Sequence, residues 1–528
     1  MYSKKSIKKW VAPVSLASLL VSSQLPASLV AHAEESTQVT TTNDTNVVGK
    51  DVSYKNALKN SSAFLLSITP NPNLGDEYVV TNLARSNYPV AKDYYAQYYN
   101  NIVKNTKEKN GNIGKSYSDY ANIIIALSSI GKDPTNVAGV NLVDKMLDSY
   151  NETKADYRTF TQTSTILLAL DANNYTIDQE KYKNLNRDSI IDELLTAQTK
   201  DNGYGWAVGA DADPDTTAMV VTALAPYMNQ DKVSISVNKA LSYLQKQLNG
   251  KAGIYSDWLK GDNAASISQV VMSLLALKID PKTEAGFVKT DGYWTIQNLL
   301  TAVDSKTGGL KMSSNQKAVD PSYATPQGNR ALTMYDRFEQ KEKVSPFYNM
   351  SEVKAENLAY DTKAPEKPSV KTVADNTTTI TGKTESYATV TVKNGSKVIG
   401  TAKADFKGAY SIKIKKQKAG TTLKIVATDL GKNNSKTVSV KVVDKTAPKV
   451  PTINKVTKNS TKVVGTAEAK ATVYIVKDKK VIKTGKVSTK GKYSLSIKKQ
   501  KVGTKLTVYV KDAAKNKSAS KTITVKSK

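Results

Sequence analysis

The stretch GADADPDTTAMVVTALAPY, residues 209–227, decides how the first part of this chain is read. Asp213, Pro214, Asp215 and Thr216 follow the order of a helix start: a capping acid, proline at the first helical position, then an acid and a hydroxyl in the first turn. The run behind them, Ala218 to Ala225, is apolar on every side, and such a helix must be covered all round. ANIIIAL (121–127), TILLAL (165–170) and QVVMSLLAL (269–277) share that character. Between these lie helices with one apolar face: RDSIIDELLTAQ (187–198), SVNKALSYLQKQL (236–248) and WTIQNLLTAVDS (294–305). In the second of them Val237, Leu241, Leu244 and Leu248 fall on one stripe.

Strict alternation of the two types calls for an inner ring and an outer ring. Glycine-rich turns precede the apolar helices, in NGNIG (110–114), NGYGW (202–206) and NGKAGIY (249–255), and Asp-Pro stops follow two of them. The unit of about 40–50 residues is also that of open helical solenoids. Closure is preferred because helices this apolar cannot line an open concave face.

The chain has 528 residues, no cysteine and one histidine, His32. The opening, a lysine-rich start, an apolar stretch and Ala31-His32-Ala33, has the pattern of a secretory signal peptide over 1–33, which would remove that histidine. Without His or Cys, Ser-His-Asp and Cys-His mechanisms are excluded, as is common zinc chemistry. No later stretch has the ~20 apolar residues of a membrane span. An exported protein with no cofactor and no bound metal is expected.

Charge divides the chain. Residues 361–528 carry 39 Lys and 10 acids, while residues 1–360 balance at 37 of each sign, within a total of +29. The basic part is also a duplication. KAPEKPSV returns as TAPKVPTI, and GAYSIKIKKQKAGT as GKYSLSIKKQKVGT, each pair 83 residues apart. Apolar residues alternate with polar ones in YSIKIKK (410–416), and Asn394-Gly395 is a hairpin signal. Each copy therefore reads as a small β-sandwich.

SYSDYANIIIALSSIGKDPTN, the 209–227 stretch and SISQVVMSLLALKIDP together resemble repeats of secreted α/α-toroid surface proteins of Gram-positive bacteria. That family is built on the prenyltransferase and squalene-cyclase repeat and is similar in fold to the cobalamin-binding domain of intrinsic factor and transcobalamin. The two tail copies resemble tandem bacterial Ig-like domains. The expected protein is multidomain: an all-α (α6/α6) toroid at 51–345 followed by two all-β Ig-like sandwiches at 364–445 and 446–528. Linkers are expected at 34–50 and 346–363.

In such a toroid the inner helices start at one mouth. The residues there are Glu77, Tyr78, Tyr117, Asp119, Tyr120, Gln162, Thr163, Asp213, Asp215, Thr216, Ser266, Gln269, Thr325 and Gln327. Each is explicable alone as a cap or first-turn residue, but their recurrence at one helical position suggests a polar ligand rim. The resemblance to corrinoid binders implies ligand contacts at this mouth, with Asp215 and Gln269 where the motifs match.

Asp211, Asp213 and Asp215 have the 1-3-5 spacing of a calcium loop but lack its Gly and Glu. The cyclase resemblance calls for Asp-x-Asp-Asp-Thr-Ala, and Thr216 replaces the partner acid of Asp215. A helix start should moreover keep Asp215 ionised, and the apolar inner segments supply no aromatic face for a carbocation. The expected function is a secreted cell-surface protein whose non-catalytic toroid binds a small ligand (corrinoid, peptide or glycan). The alternatives are an adhesive or structural role, and a terpenoid cyclase-like enzyme acting through Asp215.

The basic modules are expected to hold an anionic wall polymer such as teichoic acid, since the sequence ends ITVKSK with no sortase-type signal. Lysine repeats without arginine or interleaved aromatics do not fit a nucleic-acid reader.

Overall fold

A computed structural model describes residues 53–341 and 345–528; the expected signal segment 1–33 and linker 34–50 lie outside the described residues. Among the described residues twelve α-helices alternate between two layers. The inner layer is α2 (Glu77–Arg85), α4 (Tyr117–Ser129), α6 (Phe160–Ala172), α8 (Pro214–Leu224), α10 (Ala264–Ala276) and α12 (Ala324–Glu339). The outer layer is α1 (Tyr54–Ile68), α3 (Tyr94–Glu108), α5 (Leu142–Glu152), α7 (Arg187–Thr196), α9 (Asp231–Gln247) and α11 (Thr295–Leu300). Each inner helix packs on the next, and α12 packs back onto α1 and α2, so the ring closes as an α6/α6 toroid.

The two helix types bury what their patterns require. In α10 every residue from Ala264 to Leu275 is buried. In α9 only the stripe with Val237, Leu241 and Leu244 is. Helix α8 starts where its sequence says: Asp213 accepts the Thr216 N–H at 2.8 Å and Pro214 is the first helical residue.

The seam of the ring is polar. Asn329 donates to Ser61 Oγ at 2.8 Å and to Ser62 Oγ at 2.9 Å, and Asn82 donates to the Pro326 carbonyl at 2.7 Å. A buried amide donor left unpaired costs about 1–3 kcal/mol, so these N–H groups are satisfied only when the two ends of the ring meet.

Residues 346–363 do not behave as a linker. Phe347 and Met350 are buried, and the guanidinium groups of Arg85 and Arg337 hold the carbonyls of Ser345, Pro346 and Asn349. Further on, Asp361 N–H donates to the Val90 carbonyl at 2.7 Å. The apolar residues of PFYNM (346–350) explain this: they are too costly to leave in water.

Before α10 a short hairpin pairs β1 (Tyr255–Ser256) with β2 (Gly261–Asp262), and the first sandwich pairs β3 (Ser369–Val370), β4 (Thr379–Lys383) and β7 (Ala409–Lys413) in one sheet. The other sheet runs β6 (Lys397–Lys403), β5 (Thr389–Asn394), β8 (Thr422–Thr428) and β9 (Val438–Lys441). The second repeats the plan with β10 (Lys462–Thr466) on β13 (Lys492–Ser496), and with β12 (Lys480–Lys486), β11 (Thr472–Lys477), β14 (Lys505–Lys511) and β15 (Lys521–Thr524). Core residues correspond across the duplication: Ile380, Val390, Tyr410 and Leu423 in one, Val463, Val473, Tyr493 and Leu506 in the other. Tyr410 OH donates to the Ser369 carbonyl and Tyr493 OH to the Thr452 carbonyl, both at 2.6 Å. The first sandwich also touches the toroid, where Lys432 pairs with Asp93 at 2.7 Å and Lys403 donates to the Ser67 carbonyl.

Candidate functional site

The inner helices share one phase about the axis. Their sixth residues in α4, α6, α8 and α10 are Asn122, Thr165, Met219 and Gln269; the ninth are Ile125, Leu168, Thr222 and Met272. Ser164 from α6, Tyr78 from α2, Arg330 from α12 and Tyr348 from the segment beyond α12 complete the lining. The space they leave is about 20 Å³, room for roughly one water. The axis is filled by side chains.

Arg330 organises that filling. Its guanidinium lies 4.0 Å over the Tyr78 ring and 5.2 Å from the centre of Phe347. Nε donates to Asn82 Oδ1 at 2.9 Å and Nη1 to the Tyr348 hydroxyl at 3.2 Å. Among the described residues no ion pair includes it, so aromatic faces and neutral oxygens hold this buried cation. The axis thus has aromatic lining after all, but from Tyr78 and Tyr348, not from the apolar helix runs.

Asp215, the second residue of α8, sits at the mouth beside the Ser266 hydroxyl of α10. Its Oδ1 is buried with no hydrogen-bond partner. Burial raises its pKa to about 6, with the Ser266 hydroxyl pulling the other way and Asp213 adding a smaller push upward. Burial thus works against the helix start's preference for the ionised form, and with a pKa of about 6 the carboxyl is still mostly ionised at pH 7. Gln327 Oε1, in the first turn of α12, is a second buried oxygen without a partner.

Most of the remaining expected rim residues turn elsewhere. Glu77 accepts from the Gly75 N–H and from Tyr98 of α3, and burial raises its pKa. Asp119 closes a capping box with Ser116, and Tyr120 donates to the Gly111 carbonyl. Tyr117 packs edge-on against Tyr150, and Thr163 donates to Glu193, which pairs with Arg158 at 2.8 Å. Glu77, Tyr117 and Thr163 thus belong to contacts with outer helices. Thr325 bonds the N–H and C=O of Leu310, Asp213 and Thr216 form the cap of α8, and Gln162 is half-buried at a capped helix start.

Of the expected set, the structure brings together Asp215 and Ser266 at the mouth and Tyr78 and Gln269 on the axis. Asn122, Arg330 and Tyr348 were missed. A polar residue at the same step of successive apolar helices, and an arginine inside α12, were the available signals. For Tyr348 there was none, since 346–363 read as a linker.

Residues 364–444 and 447–527 match the bacterial Ig domain family. These two segments are bacterial Ig domains. Over 143 residues the chain is 38% identical to a cell wall-associated protease of Bacillus subtilis (strain 168). That match spans 27% of this chain and 16% of the relative's length. Among solved structures, a type II terpene cyclase from Scytonema shares 12% identity at a TM-score of 0.39, over 54% of this chain and 98% of the other. An ent-copalyl diphosphate synthase from Streptomyces platensis shares 14% at 0.33, over 52% and 50%. The BSP domain of a biofilm associated protein shares 20% at 0.15, over 38% and 37%.

Proposed function

We propose that this is a secreted surface protein whose toroid binds a ligand without transforming it and whose Ig pair retains it on an anionic wall polymer. The observation that carries the reading is the charge division: 39 Lys against 10 acids in residues 361–528, beside a balanced toroid. Strands such as β12 expose nearly every residue, so this charge faces solvent. The wall-associated relative supports the same location. A filled axis supports binding over turnover, because about 20 Å³ admits no polyprenyl chain.

Attraction of this kind is screened over ~10 Å at 0.1 M salt and ~3 Å at 1 M. The full chain should bind isolated Gram-positive walls at low salt and elute as salt rises. Walls stripped of teichoic acid should bind it poorly. Retention that survives molar salt, or equal binding to stripped walls, would overturn the reading. An adhesive role is the outcome if host surfaces bind the chain and walls do not.

A second reading rests on Asp215. A carboxyl whose pKa is about 6 keeps part of its protons near neutral pH, as a general acid must. Turnover of a polyprenyl substrate, lost in Asp215→Asn, would establish it.

A further inference from the structure

Among the described residues five aromatic side chains are exposed: Tyr157, Trp206, Tyr255, Trp258 and Tyr323, at 56–76% of their surface. All five lie in the segments leading into inner helices, Tyr157 before α6, Trp206 before α8, Tyr255 and Trp258 before α10, and Tyr323 at the start of α12. The inner helices run the same way round the ring, so these segments share the mouth at which Asp215 sits. A single exposed apolar residue is ordinary, but the restriction of every exposed aromatic ring among the described residues to one end of one domain marks a surface with a use.

The segments are joined and held. The Phe160 N–H donates to the Trp206 carbonyl at 2.9 Å, linking the approaches to α6 and α8. Asn315 donates to the carbonyls of Leu259 and Lys260, and the Ala264 N–H to that of Met312, linking the approaches to α10 and α12. The contact of Asp215 with Ser266 connects the two halves. Tyr255 stands on a short hairpin, paired with Asp262. That hairpin walls an open cleft of about 400 Å³, lined by Tyr255, Lys251, Lys260, Asp262, Ser314 and Asn315 among others. This is within the size range of ligand sites.

The pattern of the surface selects its occupant. Exposed Asp156 adjoins Tyr157, exposed Asp257 adjoins Trp258, exposed Ser322 adjoins Tyr323, and exposed Asp211 follows Trp206 by five residues. A membrane or an apolar protein face would need contiguous apolar area, and the carboxylates would oppose it. A sugar ring needs the opposite: an electron-rich aromatic face for its C–H surface and carboxylate, amide or hydroxyl groups for its edge. We propose that this mouth binds a polysaccharide chain, its rings laid on successive aromatics from α6 to α12 and one sugar seated in the Tyr255 cleft. The proposal rests on the ligand-binding reading of the toroid and names its ligand class.

Trp206 and Trp258 are themselves reporters. Full-length protein is titrated with chitohexaose and with glycan strands from teichoic-acid-free wall, following tryptophan fluorescence in 1 M salt, where attraction to the lysine-rich tail is screened. A saturable blue shift is expected with at least one of them. The paired change Trp206→Ala and Trp258→Ala should weaken binding at least tenfold, measured by calorimetry, with the toroid's melting temperature unchanged. Both side chains lie in water, so their loss does not open the core. No saturable binding of either glycan, or equal binding by the paired variant, overturns the proposal. A corrinoid or peptide that raises the melting temperature while both glycans fail would leave the ligand-binding reading standing and remove only the glycan.

Discussion

The toroid and the Ig pair use positive charge in opposite ways. All five arginines of the chain, Arg85, Arg158, Arg187, Arg330 and Arg337, are in the toroid, and none is exposed. Each has fixed partners: carbonyls for Arg85 and Arg337, carboxylates for Arg158 and Arg187, an amide and two aromatic rings for Arg330. Residues 361–528, which hold the Ig pair, have 39 lysines and no arginine. A planar, weakly hydrated fork suits a buried joint, whereas a hydrated point charge suits a surface that attracts without fixing geometry. The toroid's arginines join its own elements, and the Ig pair's lysines stand on exposed strands such as β12.

The largest expected effect breaks the arginine side of that contrast. Arg330→Met removes the donor to Asn82 and Tyr348 and leaves both oxygens buried. At about 1–3 kcal/mol for each orphaned group, the toroid should lose roughly 2–6 kcal/mol. Arg330→Lys should recover little of it, since an ammonium cannot stack and fork at once. In a calorimetric melt the Ig transitions should stay in place. A tail change such as Lys483→Gln that costs as much as Arg330→Met would dissolve the contrast.

Second in size is a pH effect at Asp215. Its pKa rises from 3.8 to about 6 on folding. Below pH 4 both folded and unfolded states hold the proton. Between about 4 and 6 the folded state keeps a proton that the unfolded state has released, so stability falls as pH rises through that window. Above 6 the loss is complete, at most about 3 kcal/mol for a shift of this size. Asp215→Asn should therefore melt higher than the parent at pH 7 and level with it near pH 3.5. A variant that is less stable at neutral pH would show that the carboxylate is held by a partner and not merely desolvated.

The layer plan was legible because it is written in periodicity. A helix buried on every side cannot hide that fact, and alternation with striped helices leaves few arrangements open. Ring closure was legible only as a preference; the groups that effect it, Asn82 and Asn329, are ordinary amides in the sequence. Side-chain destinations were less readable still. Tyr117, Asp119 and Tyr120 are consecutive or nearly so, yet they point to an outer helix, a cap and a turn. First-turn position names a mouth, but direction depends on helix phase, which the sixth and ninth residues reveal more clearly. The packed segment 346–350 and the exposed aromatics before α6 to α12 lay in stretches without periodicity, where a pattern argument has nothing to work on.

The duplication gives a smaller test within the tail. Tyr410→Phe and Tyr493→Phe each remove a 2.6 Å hydrogen bond to an equivalent carbonyl. Each should cost its own module about 1 kcal/mol, read as two equal shifts in denaturant midpoint. Unequal costs would mean that the copies share a plan but not its energetics.

The smallest effect lies where the copies differ. The β5–β6 turn of the first copy has Gly395 at a φ of 61°, while the β11–β12 turn of the second has Asp478 at 50° and Lys479 at 64°. Both central residues of the second turn are left-handed, as a tight hairpin with matching twist demands. A lysine side chain crowds the following carbonyl there, and glycine does not. Glycine also gives the unfolded chain more freedom, which offsets part of the relief. Lys479→Gly should therefore stabilise the second module by only about 0.5–1 kcal/mol, while Gly395→Ala, forced into the same region, destabilises the first by a similar amount. Both are measurable by urea denaturation followed through the separate module transitions. If Lys479→Gly lowers the midpoint, the turn is not strained, and the lysine there is held by the strands and not merely tolerated.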